Sequence, residues 1–188
     1  LIGIDSQYRN KSFLDGEVFE IKGWYQQSVN EKANLDIRGN AYNIGFYLPN
    51  ERTNAKLAYT NIDALFDPAL GFINRNNIEK IDGWISNTSP IIAAWIDKLY
   101  HNVYFDYVQE RKGNVSSKFY AFDIIDLTTM EQQHFRLSYQ STFEHIQDAF
   151  SLVDELMVPA GKYKNAQWQL ATSSDRSKSL SYGLQWHK

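Results

Sequence analysis

The side chains of this sequence that could carry out chemistry are few, and their spacing decides what they could do. "FEHIQD" sets Glu144, His145 and Asp148 within one short stretch. An imidazole between carboxylates is the composition of an acid–base pair. Asp63 with Asp67, and Asp123 with Asp126, are close carboxylate pairs. Glycoside hydrolysis asks for two such groups about 5–10 Å apart across a cleft. Both pairs border segments that read as turns, where Asp is favoured because it hydrogen-bonds nearby backbone. Turn chemistry is therefore the preferred reading of those pairs, and a solvated polar loop that of Glu144, His145 and Asp148.

The four His residues, His101, His134, His145 and His187, form neither HExxH nor a two-His-one-carboxylate spacing. With no Cys there is neither a disulfide framework nor a thiolate metal site. Ser-centred elbows, phosphate loops and nucleotide fingerprints are missing as well. The sequence thus predicts no catalytic residue, no cofactor and no metal ligand, and leans away from an enzyme.

The elements that carry these residues are dominated by alternation. Tyr42, Ile44, Phe46 and Leu48 alternate with Asn43, Gly45 and Tyr47, and Phe135, Leu137 and Tyr139 with His134, Arg136 and Ser138. Leu180, Tyr182, Leu184 and Trp186 share one face of the last segment. A period of two means strands with one apolar and one polar face. Ten segments qualify: 1–10, 17–28, 41–49, 53–62, 77–87, 95–110, 115–125, 130–141, 163–173 and 178–188. Only "TFEHIQDAFSLVDEL" (142–156) has a helical rhythm, and a structured loop would fit it equally.

The connections carry more information than the strands. "LDGE", "PNER", "NTSP", "DLTT" and "SSDRS" are short and rich in turn residues. Longer connections, 29–40, 63–76 and 142–162, fall between them, while "RKGN" (111–114) is short where a long one is expected. This predicts an all-β fold, an antiparallel up-and-down meander of about ten strands. Several strands reach the length that a tilted strand needs to cross a bilayer. Short turns on one rim and long loops on the other match an outer-membrane barrel. Tyr25, Tyr42, Tyr59, Tyr139 and Trp186 fall near strand ends, where interfacial aromatic girdles sit.

Composition sets the outer bounds. The chain has 188 residues, a net charge of -3 and 15% aromatic residues, with a mean hydropathy of -0.48. The near-neutral charge argues against nucleic acid, which asks for a basic stripe. A barrel accommodates charges on positions facing its lumen. Glu20, Lys22, Lys56, Lys80, Asp82, Asp106, Lys118 and Arg136 are expected there, either paired across strands to fill the interior or lining an aqueous path. Trp84, Trp24 and Tyr47 share those faces; Trp84 is the candidate for stacking on a sugar ring, with packing the preferred reading.

"FDPALGFINRN" (66–76) follows "KLAYTNIDAL" and resembles the Phe-x-Pro-x-x-Gly-Phe-x-x-Arg pattern of the family known as DUF5916, through Phe66, Pro68, Gly71, Phe72 and Arg75. "GIDSQYRN", "GWYQQS" and "AYNIGFYLPN" agree in order, and "VPAGKY" is similar to its Pro-x-Gly-x-Tyr element through Pro159, Gly161 and Tyr163. The resemblance runs over essentially the whole chain. It implies a bacterial envelope protein in which an N-terminal carbohydrate-binding-like domain of family 9 type precedes a barrel-like region. Residues 1–188 correspond to a single segment of that region, and because "LIGIDSQYRN" already reads as strand the chain looks like an excerpt of something longer.

The leading expectation is an outer-membrane barrel module, in contact with lipid, that anchors or serves that carbohydrate-binding domain and passes a solute or glycan. A soluble or surface β-domain that binds carbohydrate is the alternative, and a membrane-associated glycan hydrolase component comes third. In the first of these readings 66–76 is a rim loop bent by Pro68 and Gly71. Phe66 would pack on Phe72 or the rim, and Arg75 would reach a lumen carboxylate.

Overall fold

A computed structural model describes residues 1–13, 16–32, 35–68, 75–153 and 156–188. The described chain is built of strands: β1 (Ile2–Phe13), β2 (Glu17–Lys32), β3 (Leu35–Pro49), β4 (Thr53–Ile62), β5 (Ile78–Ala93), β6 (Ile96–Glu110), β7 (Val115–Thr129), β8 (His134–Ile146), β9 (Phe150–Val153), β10 (Leu156–Val158), β11 (Gly161–Ser173) and β12 (Gly183–His187). Ten of them form one sheet in the order β1-β2-β3-β4-β5-β6-β7-β8-β11-β12, and β9 pairs with β10 as a separate hairpin. Neighbours in space are neighbours in sequence, interrupted only by that hairpin. This is the expected antiparallel meander, each strand turning back on the last.

Several strands outrun the expected segments. The connection expected at 29–40 is instead the continuation of β2 and β3, paired from Glu20↔Tyr47 out to Lys32↔Leu35. "NTSP" does not turn: residues 87–90 lie inside β5. Asn87 Nδ2 donates across the sheet to Thr53 Oγ1 at 2.9 Å, as does the preceding Ser86 Oγ to the Asn54 carbonyl at 3.3 Å, while Ser89 Oγ donates to Asn87 Oδ1 within the strand. The Thr88 amide also donates to the Arg52 carbonyl at 2.9 Å. "DLTT" likewise ends β7 rather than turning.

The helical rhythm of 142–156 is not a helix. Thr142 to Ile146 pair with Asn165 to Gly161 on β11, and the β9–β10 hairpin follows. Spacings of three and four apolar residues recur there, but the backbone bonds belong to neighbouring strands. At the other end, Leu180 and Tyr182 precede β12, so the last strand is shorter than its alternation suggests.

Two turns show how the meander is closed locally. At 111–114, Gly113 has φ of 89°, a conformation that costs glycine little. Its N–H reaches the Glu110 carbonyl and the Glu110 N–H the Asn114 carbonyl, each at 2.8 Å. Beyond β7 the same geometry falls on a non-glycine, Gln132, at φ 61°.

The chain divides into two compact units. The first comprises Leu1–Asn50, Ala55–Gly83 and Asp106–Ser116; the second Glu51–Asn54, Trp84–Phe105 and Ser117–Lys188. In each, polar side chains are buried alongside a few apolar ones, Asp123 in the second unit and Ala41, Phe66 and Val108 in the first among them, while many large apolar side chains are exposed. The largest fully buried side chains are Glu20 and Ser28, 1% and 2% exposed. Ile4, Ile44, Phe46, Leu57, Leu170, Leu184 and Trp186 are exposed, Ile4 at 71% and Leu184 at 68%.

Candidate functional site

The polar face of the first unit begins from strand register. Glu20 stands opposite Arg9 on β1 and Tyr47 on β3. Arg9 bonds its carboxylate, and Lys22 Nζ approaches the other oxygen at 2.6 Å. Lys22 also lies 4.8 Å from the centre of the Tyr47 ring. That ring covers Gly45, where a Cβ would strike it. Tyr47, one of the expected sugar-facing aromatics, is thus engaged in covering a glycine and holding a cation.

A second chain of charges follows on the same unit. Lys56 Nζ meets Asp82 at 2.5 Å, and Lys80 Nζ lies 3.7 Å from Asp82 and 2.5 Å from Asp106. Alternating signs from β4, β5 and β6 therefore satisfy one another, which is what makes a 7% exposed Asp82 tolerable. Of the two arrangements open to Glu20, Lys22, Lys56, Lys80, Asp82 and Asp106, pairing, across strands and along them, is the one observed. Arg9 was not foreseen, because β1 alone gives no sign of which charge it will face. Trp84 continues the Asp82 side of β5 by alternation and is half-buried.

The segment after β4 folds back over this face. Asp63 is its hub: its carboxylate accepts from the Asn40 backbone N–H and Nδ2, both at 3.1 Å, and pairs with Arg111. Phe66 is 3% exposed and Pro68 is buried. The Asp67 N–H donates to Ser28 Oγ at 3.0 Å, and Asn30 Nδ2 to the Asp67 carbonyl at 3.1 Å. Gly39, opposite Ser28 on β3, makes room, for a Cβ there would overlap the backbone of Leu65 and Phe66.

Residues 63–68 therefore form a strap lying on the Ser28–Gly39 pair. Arg75 donates to Ser116 Oγ at 3.0 Å, and Asp63 ties the segment to the sheet through Arg111. Gly71 and Phe72 lie outside the described residues, as does any packing of Phe72 on Phe66.

In the second unit the decisive feature is a bulge. Asp123 pairs with Ser138, but Ile125 already pairs with Leu137, so β7 holds one residue too many at Ile124. Without that slip Asp123 and Asp126 would point to opposite faces. With it both point to Arg136, which lies opposite Asp126. Arg136 Nε and Nη2 reach Asp123 Oδ1 at 2.8 and 2.7 Å, and Nε lies 3.7 Å from Asp126 Oδ2. His134 Nε2 lies 2.7 Å from Asp126 Oδ1. The reading of these two Asp as turn formers is corrected: they are mid-strand ion-pair partners, brought together by a register slip that sequence alternation cannot reveal. The same parity moves Lys118 off the polar face, onto the side of Phe122 and Tyr139.

The remaining candidates separate. Glu144 and His145 are neighbours within β8 and so point to opposite faces of the sheet, which removes them as an acid–base pair. At the start of β11 the Tyr163 hydroxyl donates to the Pro159 carbonyl at 2.7 Å, and its ring lies 3.7 Å from where a Gly161 Cβ would be. Pro159, Gly161 and Tyr163 thus form a local clasp at the entry to the strand.

Above the Asp123–Arg136 pair, the polar face of β6, β7, β8 and β11 encloses a hollow of about 80 Å³ lined chiefly by amides. Gln140 Nε2 donates to Gln167 Oε1 at 2.7 Å, and Gln167 Nε2 lies 3.0 Å from His187 Nδ1. Among the described residues no group of three or more His, Asp or Glu could hold a metal ion.

No family model, curated protein or solved structure matches the chain. Function must therefore be argued from the two faces of the sheet.

Proposed function

We propose that this chain is wall of an outer-membrane β-barrel, its apolar face against lipid and its polar face toward an aqueous interior, serving a carbohydrate-binding domain of the same parent chain. The observation that carries this reading is the inversion of burial. Glu20, Ser28, Asp82 and Asp123 are buried, while Ile4, Ile44, Leu57, Leu170, Leu184 and Trp186 are not. In water so large an apolar face would drive association. In a bilayer it is the low-energy surface, and the charges are satisfied by one another on the opposite side.

Strand length supports the same reading. β2 and β5 have 16 residues each, about 50 Å at roughly 3.3 Å per residue. That is enough to cross a hydrocarbon core of about 30 Å at a tilt. Tyr25 donates its hydroxyl to Asn40 Oδ1 at 2.6 Å, and the Tyr42 and Tyr59 rings lie 6.0 Å apart beside it. Because β2 and β3 run further than the sequence suggests, Tyr25 and Tyr42 fall mid-strand and not near strand ends as expected; what remains is a ring on the apolar side with its hydroxyl held by an amide. The motif resemblance to DUF5916 agrees with this assignment. No described helix is long and apolar enough to cross a membrane, a fact without bearing on crossing by strands.

Leu184 and Gln185 give the test, since adjacent residues on β12 face opposite sides. Leu184→Arg, or Phe46→Arg on β3, should cost up to about 2–4 kcal/mol of folding into liposomes, as for a cation placed on lipid. Gln185→Arg should fold like the parent. Release of the protein from membranes by salt without detergent, or equal folding of the Leu184 and Gln185 variants, would overturn the proposal.

A further inference from the structure

The hollow in the second unit differs in chemistry from the charged face of the first. Its polar walls include Asn102 from β6, Asp123 from β7, Arg136 and Gln140 from β8, and Gln167 and Gln169 from β11, with Ala121, Ser138 and Tyr139 completing the lining. The two charges cancel. Arg136 places Nε and Nη2 on the same oxygen, Asp123 Oδ1, which leaves Asp123 Oδ2 with lone pairs for another donor. Asp126 is occupied in turn by His134 and the flank of Arg136.

The amides are oriented as well. Because Gln140 donates to Gln167 and Gln167 lies against His187, the ladder keeps Gln140 Oε1 as an acceptor and one Gln167 N–H as a donor. Asn102 and Gln169 make no side-chain hydrogen bond to another described residue and contribute both kinds of group. The volume, about 80 Å³, holds several water-sized positions. It would take one edge of a sugar ring or a short polyol.

We infer that this hollow is a binding site for a small, uncharged, hydroxyl-rich solute. A hydroxyl both donates and accepts, and a face of alternating amide donors and acceptors with one carboxylate satisfies several at once. A solute with a net negative charge would meet no unpaired cation there, since Arg136 is already held, and would be left desolvated without compensation. The rings of Phe122 and Trp168 each pack on Tyr139 across the opposite face, so the groups that would orient a solute in this hollow are its polar ones, with Ala121 beside them. The inference needs the polar face to be wet, as the barrel reading has it, but it does not need a bilayer on the other side.

The probe is glucose, with glucuronate as its anionic counterpart, titrated into the folded protein in detergent while the Asn and Gln side-chain amide resonances are followed by NMR. Glucose should produce saturable shifts at Gln167 and Gln169, and glucuronate should not. The double change Gln167→Leu and Gln169→Leu should weaken glucose by about tenfold or more, as expected for two lost hydrogen bonds; Gln169→Asn should recover part of that loss. Absence of a saturable shift, equal response to glucuronate, or unchanged affinity in the double variant would overturn the site. A protein that folds into liposomes yet ignores glucose defeats this site and spares the barrel. One that binds glucose but is released by salt does the reverse.

Discussion

Gly39→Ala should unseat the strap formed by residues 63–68. The alanine Cβ would overlap the Leu65 carbonyl carbon and the Phe66 nitrogen, closer than the roughly 3.5–4.0 Å of an ordinary contact by more than an ångström. Both obstacles are backbone, so no side-chain rotation relieves them. Beyond the Asp63 anchor, what holds the 65–68 end of the strap is the burial of Phe66, 3% exposed, together with two hydrogen bonds, Asp67 N–H to Ser28 and Asn30 to the Asp67 carbonyl. Burying a phenylalanine contributes about 2–3 kcal/mol and each bond about 1 kcal/mol, roughly 4 kcal/mol in all. Absorbing the clash in place would cost about 1–3 kcal/mol, so the seated state is weakened by that amount up to the full holding energy. Hydrogen exchange of the Asp67 amide should then accelerate by about five- to a thousandfold, with the β7–β8 amides unchanged. Ser28→Ala removes one bond and should accelerate it only about fivefold. If Asp67 exchanges within twofold of the parent in Gly39→Ala, the strap is not held where this reasoning puts it.

Three further outcomes follow from the second unit. Removing one of the adjacent residues Ile124 and Ile125 should leave folding intact, because it deletes the bulge and keeps Asp123 and Asp126 on the Arg136 side; removing Tyr139, where the ladder is regular, should abolish it, as judged by heat-modifiable gel mobility. Arg136→Met strands Asp123, whose side chain is 4% exposed, and should destabilise by about 1–3 kcal/mol given that Arg136 itself is 40% exposed. The double change with Asp123→Asn should cost less than the single one in denaturant titration, and a larger cost would refute the pairing. In the connection before β12, the Ser177 backbone N–H, 2.8 Å from the Asp175 carboxylate, chiefly holds that carboxyl below its usual range, with the Ser177 side chain and Lys178 assisting. A depressed carboxyl stabilises the turn above the ordinary aspartate pKa of about 3.9 and ceases to do so as pH falls through its folded value. The Ser177 amide resonance should therefore stay fixed at neutral pH and move only below that range; a midpoint at or above the ordinary value would contradict it.

The alternation of apolar and polar residues in Tyr42–Leu48 and Phe135–Tyr139 was enough to determine strands, their two faces and the meander that joins them, since a period of two has one simple structural meaning. It also placed most of the paired charges on one face. Turn composition was a poorer guide. Asn87, Thr88 and Ser89 read as a turn but lie within β5, where the Asn87 side chain and the Thr88 backbone amide bond across to Thr53 and Arg52, because a polar group serves a neighbouring strand as readily as its own turn. The strap's seat on Gly39, the meeting of Arg9 with Glu20, and the amide hollow could not be read from spacing, for each depends on which residue of another strand lies opposite. The bulge at Ile124 is the clearest case. One extra residue reverses the parity of everything after it, so whether Asp123 and Asp126 share a face depends on hydrogen bonds to β8, which only the tertiary structure supplies.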